Sequence, residues 1–239
     1  MNEAERLCSI RAAEAQSHTQ AYLDHALFVP GSWLAKPVKT VLEILPNFDG
    51  YPQLRVLDLG CGVGRNCIPI AQRFSHIPCR IDCVDILELA IEKLWENGCT
   101  YNVSDSLEGI VSSIDTFSIL PDSYDLILAV SALEHVANRD IFVDKLKQIH
   151  CGLRRNGIAC LIVNSGVREQ DLITGRRLLP QFEVNLSTEE MIQLIKAQFP
   201  GCAVCKHTLV HQRYEIPREK GMARVETDVV TYVLKKTAG

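Results

Sequence analysis

The chain has 239 residues, of which 47% are hydrophobic and 23% charged, with 14 Gly and 10 Pro. This length suits one domain with a full hydrophobic core, and the composition excludes collagen-like, low-complexity and largely disordered proteins. The 25 basic and 29 acidic residues leave a formal net charge of −4, so we expect no nucleic-acid partner and no attraction to anionic membranes.

The sequence shows no secretory or membrane segment. Charged residues interrupt the first sixteen positions, and no later run approaches about 18 apolar residues. We therefore expect a cytoplasmic protein whose ten cysteines are buried small residues or surface thiols rather than disulfides. Cys202 and Cys205 form a single C-x-x-C pair, and without a second pair we expect no metal site.

Apolar periodicity predicts helices and strands that alternate along most of the chain. Apolar residues recur at helical spacing from Leu34 to Leu45, which predicts an amphipathic helix that Pro46 ends. Continuous apolar runs predict strands at 55–59, 80–84, 125–130 and 157–163. Between them we predict helices at 65–74, at 88–97, where Gly98 ends the helix, and at 141–153.

Strands separated by helices of this length imply parallel crossovers, so the predicted fold class is α/β, with helices on both faces of an open, twisted sheet. After residue 164 we predict a polar loop to about 185, then a helix over 188–199 that Ser187 caps. Strands at 203–212 and 227–234 would form a long hairpin, adding an antiparallel edge strand to a sheet of about seven strands.

We expect one domain over residues 1–239. Its parts would be an N-terminal helical lid (1–50), a cofactor-binding core (54–163) and a region with a substrate loop, a helix and the hairpin (164–239).

The glycine-rich turn after the first strand indicates where a ligand binds. Gly60, Gly62 and Gly64 remove three side chains, so the backbone can bend tightly and approach a flat ligand at the carboxyl end of the sheet. A dinucleotide fingerprint would place its third glycine at position 65, which is Arg65. A pyrophosphate site is therefore disfavoured but stays open.

The segment 58–64, Asp-Leu-Gly-Cys-Gly-Val-Gly, resembles motif I of the class I S-adenosylmethionine-dependent methyltransferases, which have a Rossmann-like fold. Four later segments are similar to family landmarks in the same order: Asp85, 115–121, 124–136 with its Leu-Glu-His-Val, and the turn 153–157. In that turn Arg155 and Asn156 replace the family's proline and glycine. Five ordered landmarks are more specific than a glycine loop alone.

The resemblance implies S-adenosylmethionine as the cofactor. Asp85 would accept both ribose hydroxyls and Asp115 the adenine amino group, although each could instead cap a helix or turn. Asp58 would order the turn and act indirectly on the cofactor's amino group. The other predicted cofactor contacts are Gly60, Cys61, Gly62, Gly64, Arg65, Asn66, Ile86, Ile114, Thr116, Val130 and Ser131.

The acceptor side is predicted from titratable, aromatic and basic residues. His135 is the candidate general base, but the Leu-Glu-His-Val tetrapeptide occurs in family members with diverse acceptors, which favours a structural histidine. Aromatic residues could close over the cofactor, and arginines in the loop and in the last connection could bind an anionic acceptor or be ordinary surface residues. These candidates are Tyr22, Phe28, Trp33, Arg168, Arg176, Arg177, Arg213 and Arg218.

We therefore expect an enzyme that methylates a small molecule at O, N, S or a metalloid oxyanion, similar to the tellurite-resistance methyltransferases in Gly64-Arg65-Asn66. Residues 130–133 are Val-Ser-Ala-Leu, not the Asn/Asp-Pro-Pro-Tyr/Phe of nucleic-acid amino methylases, which argues against base substrates. An NAD(P)-dependent oxidoreductase and a non-catalytic cofactor-binding regulatory module stay open. The oligomeric state is not predicted.

Overall fold

The computed structural model describes residues 2–218 and 221–237. Its α-helices are α1 (Glu3–Asp24), α2 (Lys39–Ile44), α3 (Cys67–Arg73), α4 (Glu88–Thr100), α5 (Arg139–Gly152) and α6 (Thr188–Gln198). Its strands are β1 (Leu54–Leu59), β2 (Cys79–Asp85), β3 (Leu107–Val111), β4 (Tyr124–Val130), β5 (Leu153–Asp171), β6 (Arg177–Leu178), β7 (Cys202–Arg218) and β8 (Gly221–Lys236).

The strands form one mixed sheet in the order β3-β2-β1-β4-β5-β8-β7, with the two-residue β6 paired to β5. Strands β1 to β5 are parallel, whereas β8 runs antiparallel to β5 and β7 antiparallel to β8. The α/β class and the antiparallel hairpin at the sheet edge are therefore confirmed. The antiparallel strand β8 lies one position inside the edge, which β7 forms.

The central strands are buried on both faces, as crossover helices require. All seven residues of β4 are buried. One apolar cluster joins the sheet to the N-terminal segment, α2, α3 and α4, and a second joins it to α5 and α6. Helices on both faces, as predicted, thus leave the carboxyl ends of the strands as the edge where ligands can bind.

The helix predicted from Leu34 to Leu45 was wrong in its extent. Only Lys39–Ile44 is α-helical, and short 3-10 turns occupy Trp33–Ala35 and Leu45–Phe48. Lys36 is extended (φ −145°, ψ 143°) because the residue before a proline, here Pro37, avoids helical backbone angles.

Gly98 does not end α4, which continues to Thr100. A Cβ at Gly98 would lie 3.0 Å from Cδ1 of Leu107, so this glycine allows close contact between the helix and the beginning of β3.

The first part of the loop predicted after residue 164 is strand. β5 continues to Asp171, and β7 pairs with β8 as far as Arg218 opposite Gly221. Four of the predicted loop arginines therefore lie in strands, namely Arg168, Arg177, Arg213 and Arg218. The cause is long-range pairing, with β8 for Arg168, Arg213 and Arg218 and with β5 for Arg177. The predicted cap of α6 is confirmed, because the Ser187 hydroxyl accepts the backbone N–H of residue 190 at 3.2 Å.

None of the described helices has the length and apolarity needed to cross a bilayer. The described residues include all ten cysteines, and none of these is in a disulfide. Four are buried, namely Cys61, Cys67, Cys83 and Cys160.

Asp58 is a carboxylate buried within the sheet, with 1% of the residue exposed. Its Oδ2 accepts the Sγ–H of Cys67 at 3.0 Å, while no hydrogen-bond partner for Oδ1 is present among the described residues. Burial raises the pKa of Asp58 from 3.8 to about 6, and the Cys67 hydrogen bond opposes this change only in part. The ionised carboxylate therefore destabilises the unliganded fold at neutral pH.

We expect the Asp58→Asn substitution to increase the stability of the unliganded protein more at pH 8 than at pH 4. In the unfolded chain the carboxyl has its ordinary pKa, so the wild type loses stability as pH rises from about 4 to about 6, by about 3 kcal/mol. The asparagine variant lacks this loss. Urea unfolding across this pH range measures the difference between variant and wild type. Asp105→Asn, which changes an exposed aspartate, is the control; a pH-independent difference for Asp58→Asn would contradict the assignment.

Candidate cofactor and acceptor site

The turn between β1 and α3 has a backbone that requires glycine. Gly60, Gly62 and Gly64 have φ angles of +75°, +54° and +95°, which non-glycine residues rarely adopt. A Cβ at Gly60 would lie 2.6 Å from Cβ of Ala132, and one at Gly64 would lie 2.7 Å from Cδ1 of Leu94. Because these side chains are absent, other segments of the protein and a ligand can come close to the backbone of the turn.

Asp85, at the end of β2, points its carboxylate at this turn. Oδ2 accepts the N–H of Gly62 at 2.9 Å, and Oδ1 accepts the N–H of Leu87 at 2.9 Å. Burial raises the pKa of Asp85, although these backbone hydrogen bonds oppose the rise. Each oxygen keeps a lone pair for a hydroxyl donor, so the group fits a ribose with two vicinal hydroxyls. The neighbouring Ile86 is 54% exposed and offers an apolar surface beside it.

Aromatic rings from the N-terminal segment lie over the glycine turn. The hydroxyl of Tyr22 is 2.9 Å from the position of a Cβ at Gly62, and the Tyr22 ring packs 5.7 Å from His18 and 6.0 Å from Trp33. Tyr22 and Trp33 thus pack together beside the turn, and closure of these rings over a cofactor stays a prediction. Phe28 packs instead against Tyr101, with ring centroids 5.4 Å apart.

Arg65 and Asn66 connect the turn to the N-terminal segment. Arg65 donates to the carbonyl of Trp33 at 3.0 Å and lies 5.0 Å from the centroid of the Trp33 ring, while Asn66 Oδ1 accepts the N–H of Val38 at 3.1 Å. Both residues were predicted as direct cofactor contacts. The described partners show that they also hold the residues that cover the turn.

Asp115 forms an ion pair with Arg11, a contact that the sequence did not predict. Its carboxylate accepts a hydrogen bond from the guanidinium of Arg11 in α1 and, through Oδ1, from the N–H of Ala137 at 3.1 Å. Ile114 is partly buried and Thr116 is exposed beside it. Recognition of adenine by Asp115 stays a prediction, and any such contact would share this carboxylate with Arg11.

The chain turns sharply where β4 ends. Val130 is 9% exposed, and the next residue, Ser131, is exposed with φ +50°, a left-handed conformation uncommon outside glycine. The N–H of Ser131 donates to the carbonyl of Ile162 at 2.7 Å. This bend brings Ala132 against Gly60, so the ends of β1 and β4 meet at the candidate site.

Cys61 lies within the turn with only 5% of the residue exposed. Burial raises the pKa of its thiol to about 11, so the thiol is protonated at neutral pH and is a poor nucleophile.

His135 follows β4 and contacts two carboxylates. Its Nδ1 lies 2.8 Å from Oε2 of Glu14 and 2.9 Å from Oε2 of Glu183, and its ring stacks on Phe182 at 5.3 Å. Burial alone would lower the pKa of His135, but the hydrogen bonds to Glu14 and Glu183 outweigh it and raise the pKa to about 10. A protonated imidazole cannot accept a proton, so this arrangement does not support His135 as a general base.

Several of these partners come from one face of α1. Arg11, Glu14, His18 and Tyr22 recur at spacings of three and four residues, so they share a face of the helix. The spacing of these polar residues could have been recognised in the sequence as one face of a helix, but it does not predict which core residues that face contacts.

The predicted acceptor arginines are engaged along the extended strands. Arg168 and Arg213 pair with the same carboxylate, Glu226, at 3.6 and 3.5 Å, and Arg218 makes two hydrogen bonds to Glu169. Arg176 is exposed in the turn after β5. The two pairs with Glu226 join neighbouring strands, whereas Arg218 in β7 reaches past β8 to Glu169 in β5. All of these partners lie outside the glycine turn.

Residues 56–157 match a methyltransferase domain family. The ribosomal RNA small subunit methyltransferase C of Pseudomonas entomophila is 31% identical over 134 residues, which cover 55% of this chain and 39% of the relative. The (S)-coclaurine N-methyltransferase of Thalictrum flavum subsp. glaucum is 33% identical over 93 residues, which cover 39% of this chain and 25% of the relative. The chain thus spans less than half the length of these relatives.

Solved structures of methyltransferases have a similar fold. The crystal structure of a SAM-dependent methyltransferase from Methanosarcina mazei superposes with a TM-score of 0.59 at 13% identity, covering 85% of this chain and 100% of the other. S-Adenosylmethionine is the cofactor of such domains. The free lone pairs of Asp85 fit its ribose hydroxyls, and the missing side chains of the glycine turn leave room for it to approach the backbone. The matched segment is the one that holds this turn and this carboxylate, so this part of the chain is similar to the core of the class I S-adenosylmethionine-dependent methyltransferases.

Proposed function

We propose that the protein is an enzyme that transfers the methyl group of S-adenosylmethionine to a small-molecule acceptor. The cofactor supplies a methyl carbon activated by a sulfonium. Asp85 would bind the ribose, the backbone of the glycine turn would contact the cofactor, and Tyr22 with its neighbouring rings would exclude water. The protein's contribution would then be alignment of the reacting atoms, since a direct displacement needs no covalent enzyme intermediate.

The acceptor class is supported by a cavity and by its charges. A cavity of about 490 Å³ lies between α1 and residues 179–185, a volume typical of small-molecule sites. The charged residues that line this cavity are Arg6 and Glu183, so the lining carries no net positive charge. Binding of a polyanion needs a basic surface, so we prefer a small acceptor to RNA, the substrate named for one relative.

Two finer proposals accompany this function. Ten unbridged cysteines support a cytoplasmic location, where thiols stay reduced. The branch within the family, including similarity to the tellurite-resistance enzymes, stays a prediction.

We expect Asp85→Ala to weaken the binding of S-adenosylhomocysteine by on the order of 100-fold, because two charge-assisted hydrogen bonds to the ribose would be lost. Isothermal titration calorimetry on the folded variant measures this effect. Glu88→Gln removes an exposed carboxylate three residues further along and should leave binding unchanged. Undiminished binding by Asp85→Ala would overturn the site assignment.

We expect Tyr22→Ala to weaken cofactor binding about tenfold, whereas Tyr22→Phe should bind nearly as the wild type. The ring covers the glycine turn, and phenylalanine keeps the ring while removing only the hydroxyl. The same calorimetry compares the two variants. Equal affinity of Tyr22→Ala and wild type would show that the ring does not cover the bound cofactor.

Ligand specificity and turnover separate the proposed enzyme from its alternatives. S-Adenosylhomocysteine, and not NAD, should raise the thermal unfolding temperature, since only a ligand of the native state stabilises it. Methyl transfer should then be detectable within a panel of thiols, amines, hydroxylated compounds, carboxylic acids, selenite and tellurite. Stabilisation by NAD alone would favour an oxidoreductase, and cofactor binding without any transfer would favour a regulatory module.

A further inference from the structure

Three side chains from distant parts of the sequence converge beside the candidate cofactor site. Glu14 comes from α1, His135 from the turn after β4, and Glu183 from the segment before α6. Oε2 of Glu14 and Oε2 of Glu183 lie 2.8 and 2.9 Å from Nδ1 of His135, and one ligand atom from each residue falls within 4.8 Å of the other two.

We propose that Glu14, His135 and Glu183 bind one divalent transition-metal ion. Adjacent ligands about 2.1 Å from an ion would lie about 3.0 Å apart in octahedral coordination and about 3.4 Å apart in tetrahedral coordination, so small outward shifts from the measured 2.8 and 2.9 Å would admit an ion. One imidazole nitrogen with two carboxylates suits Mn²⁺, Fe²⁺ or Zn²⁺ better than Mg²⁺ or Ca²⁺, which prefer oxygen ligands alone.

The burial of Glu183 supports this site independently. Its side chain is only 1% exposed, Oε2 faces His135, and Oε1 has no hydrogen-bond partner among the described residues. The guanidinium of Arg11 reaches Oε1 only to 3.6 Å. A desolvated carboxylate with incomplete hydrogen bonding is unfavourable, and a directly bound cation would compensate for it.

The hydrogen-bond geometry of His135 leads to the same conclusion. A single Nδ1–H can point at one acceptor, yet two carboxylate oxygens lie within 2.9 Å of that nitrogen. A cation located among the three atoms would satisfy all of them at once. The stacked ring of Phe182 fixes the plane of the imidazole.

The site also lies next to the places where the cofactor and acceptor would bind. His18 in α1 is near enough to both His135 and Asp85 for their charges to act on it, and Glu183 also lines the 490 Å³ cavity. Three protein ligands leave a position for water or for an oxygen atom of the acceptor. A role for the ion in holding the acceptor rests on the proposed function, whereas ion binding itself does not.

The test is metal binding to chelator-treated full-length protein without cofactor or acceptor. Mn²⁺ is titrated by electron paramagnetic resonance and Zn²⁺ by calorimetry, and we expect one ion per chain at a site shared by the three residues. Glu14→Gln and Glu183→Gln should each weaken binding about tenfold or more, while Glu92→Gln, an exposed carboxylate in α4, should not. Far-UV circular dichroism checks folding, and Glu14, 26% exposed, gives the variant less prone to unfold.

The outcomes separate this inference from the proposed function. Absence of binding for both ions, or equal affinity in wild type and Glu14→Gln, overturns the metal site. S-Adenosylhomocysteine binding is measured on the same preparations. If the wild type binds an ion, the two variants do not, and S-adenosylhomocysteine does not bind, the metal site is supported and the proposed function is not. If S-adenosylhomocysteine binds and no ion does, only the metal site is overturned.

Discussion

The backbone of the turn between β1 and α3 is the constraint on which the candidate site depends. Each of its three glycines is approached by a different part of the fold: Gly60 by the bend after β4, Gly62 by α1, and Gly64 by α4. A side chain at any of them would force one of these elements away. The absence of three Cβ atoms therefore lets separate elements converge where the strands end, and Asp85 fixes the turn by accepting the N–H of Gly62.

Buried negative charge is the second feature of this region. Asp58, Asp85, Glu134 and Glu183 are each at most 9% exposed and lie at or near strand ends or in the segments that cover them. Glu134 is fully buried and accepts both the backbone and the side-chain N–H of Asn164, yet burial still raises its pKa. Such carboxylates suit a cationic cofactor and are unfavourable to a polyanion.

Helix α1 supplies much of the compensation for this charge. Arg11 reaches both Asp115 and Glu183, and the same helical face brings Glu14 to His135. The packing of α1 on the core and the electrostatics of the site are therefore linked. Helix α1 has mixed polarity and would have little stability in isolation. Its contacts with buried carboxylates, which need partners, hold it against the core.

Local rules of the sequence accounted for β1, β2, β4 and β5 of the parallel core. The glycine turn, Asp85 at the end of β2 and the cap of α6 also depend on neighbours within a few residues, so periodicity and spacing predicted them. Strand β3 was not among the predicted ranges, because Glu108 and Gly109 interrupt its apolar run. The same rules failed for Gly98 and for residues 164–171. A glycine that permits close packing resembles one that ends a helix, and a polar segment becomes a strand only when β8 is beside it.

The sequence by itself determined the fold class, the position of the glycine turn and the identity of the residue at the end of β2, because each is encoded by contiguous residues. Only the tertiary structure decided that α1 covers this turn, that Arg11 engages Asp115, and that Glu14, His135 and Glu183 meet. These contacts join residues far apart in the chain. Their geometry follows from how helices pack on the sheet, which no local pattern of residues specifies.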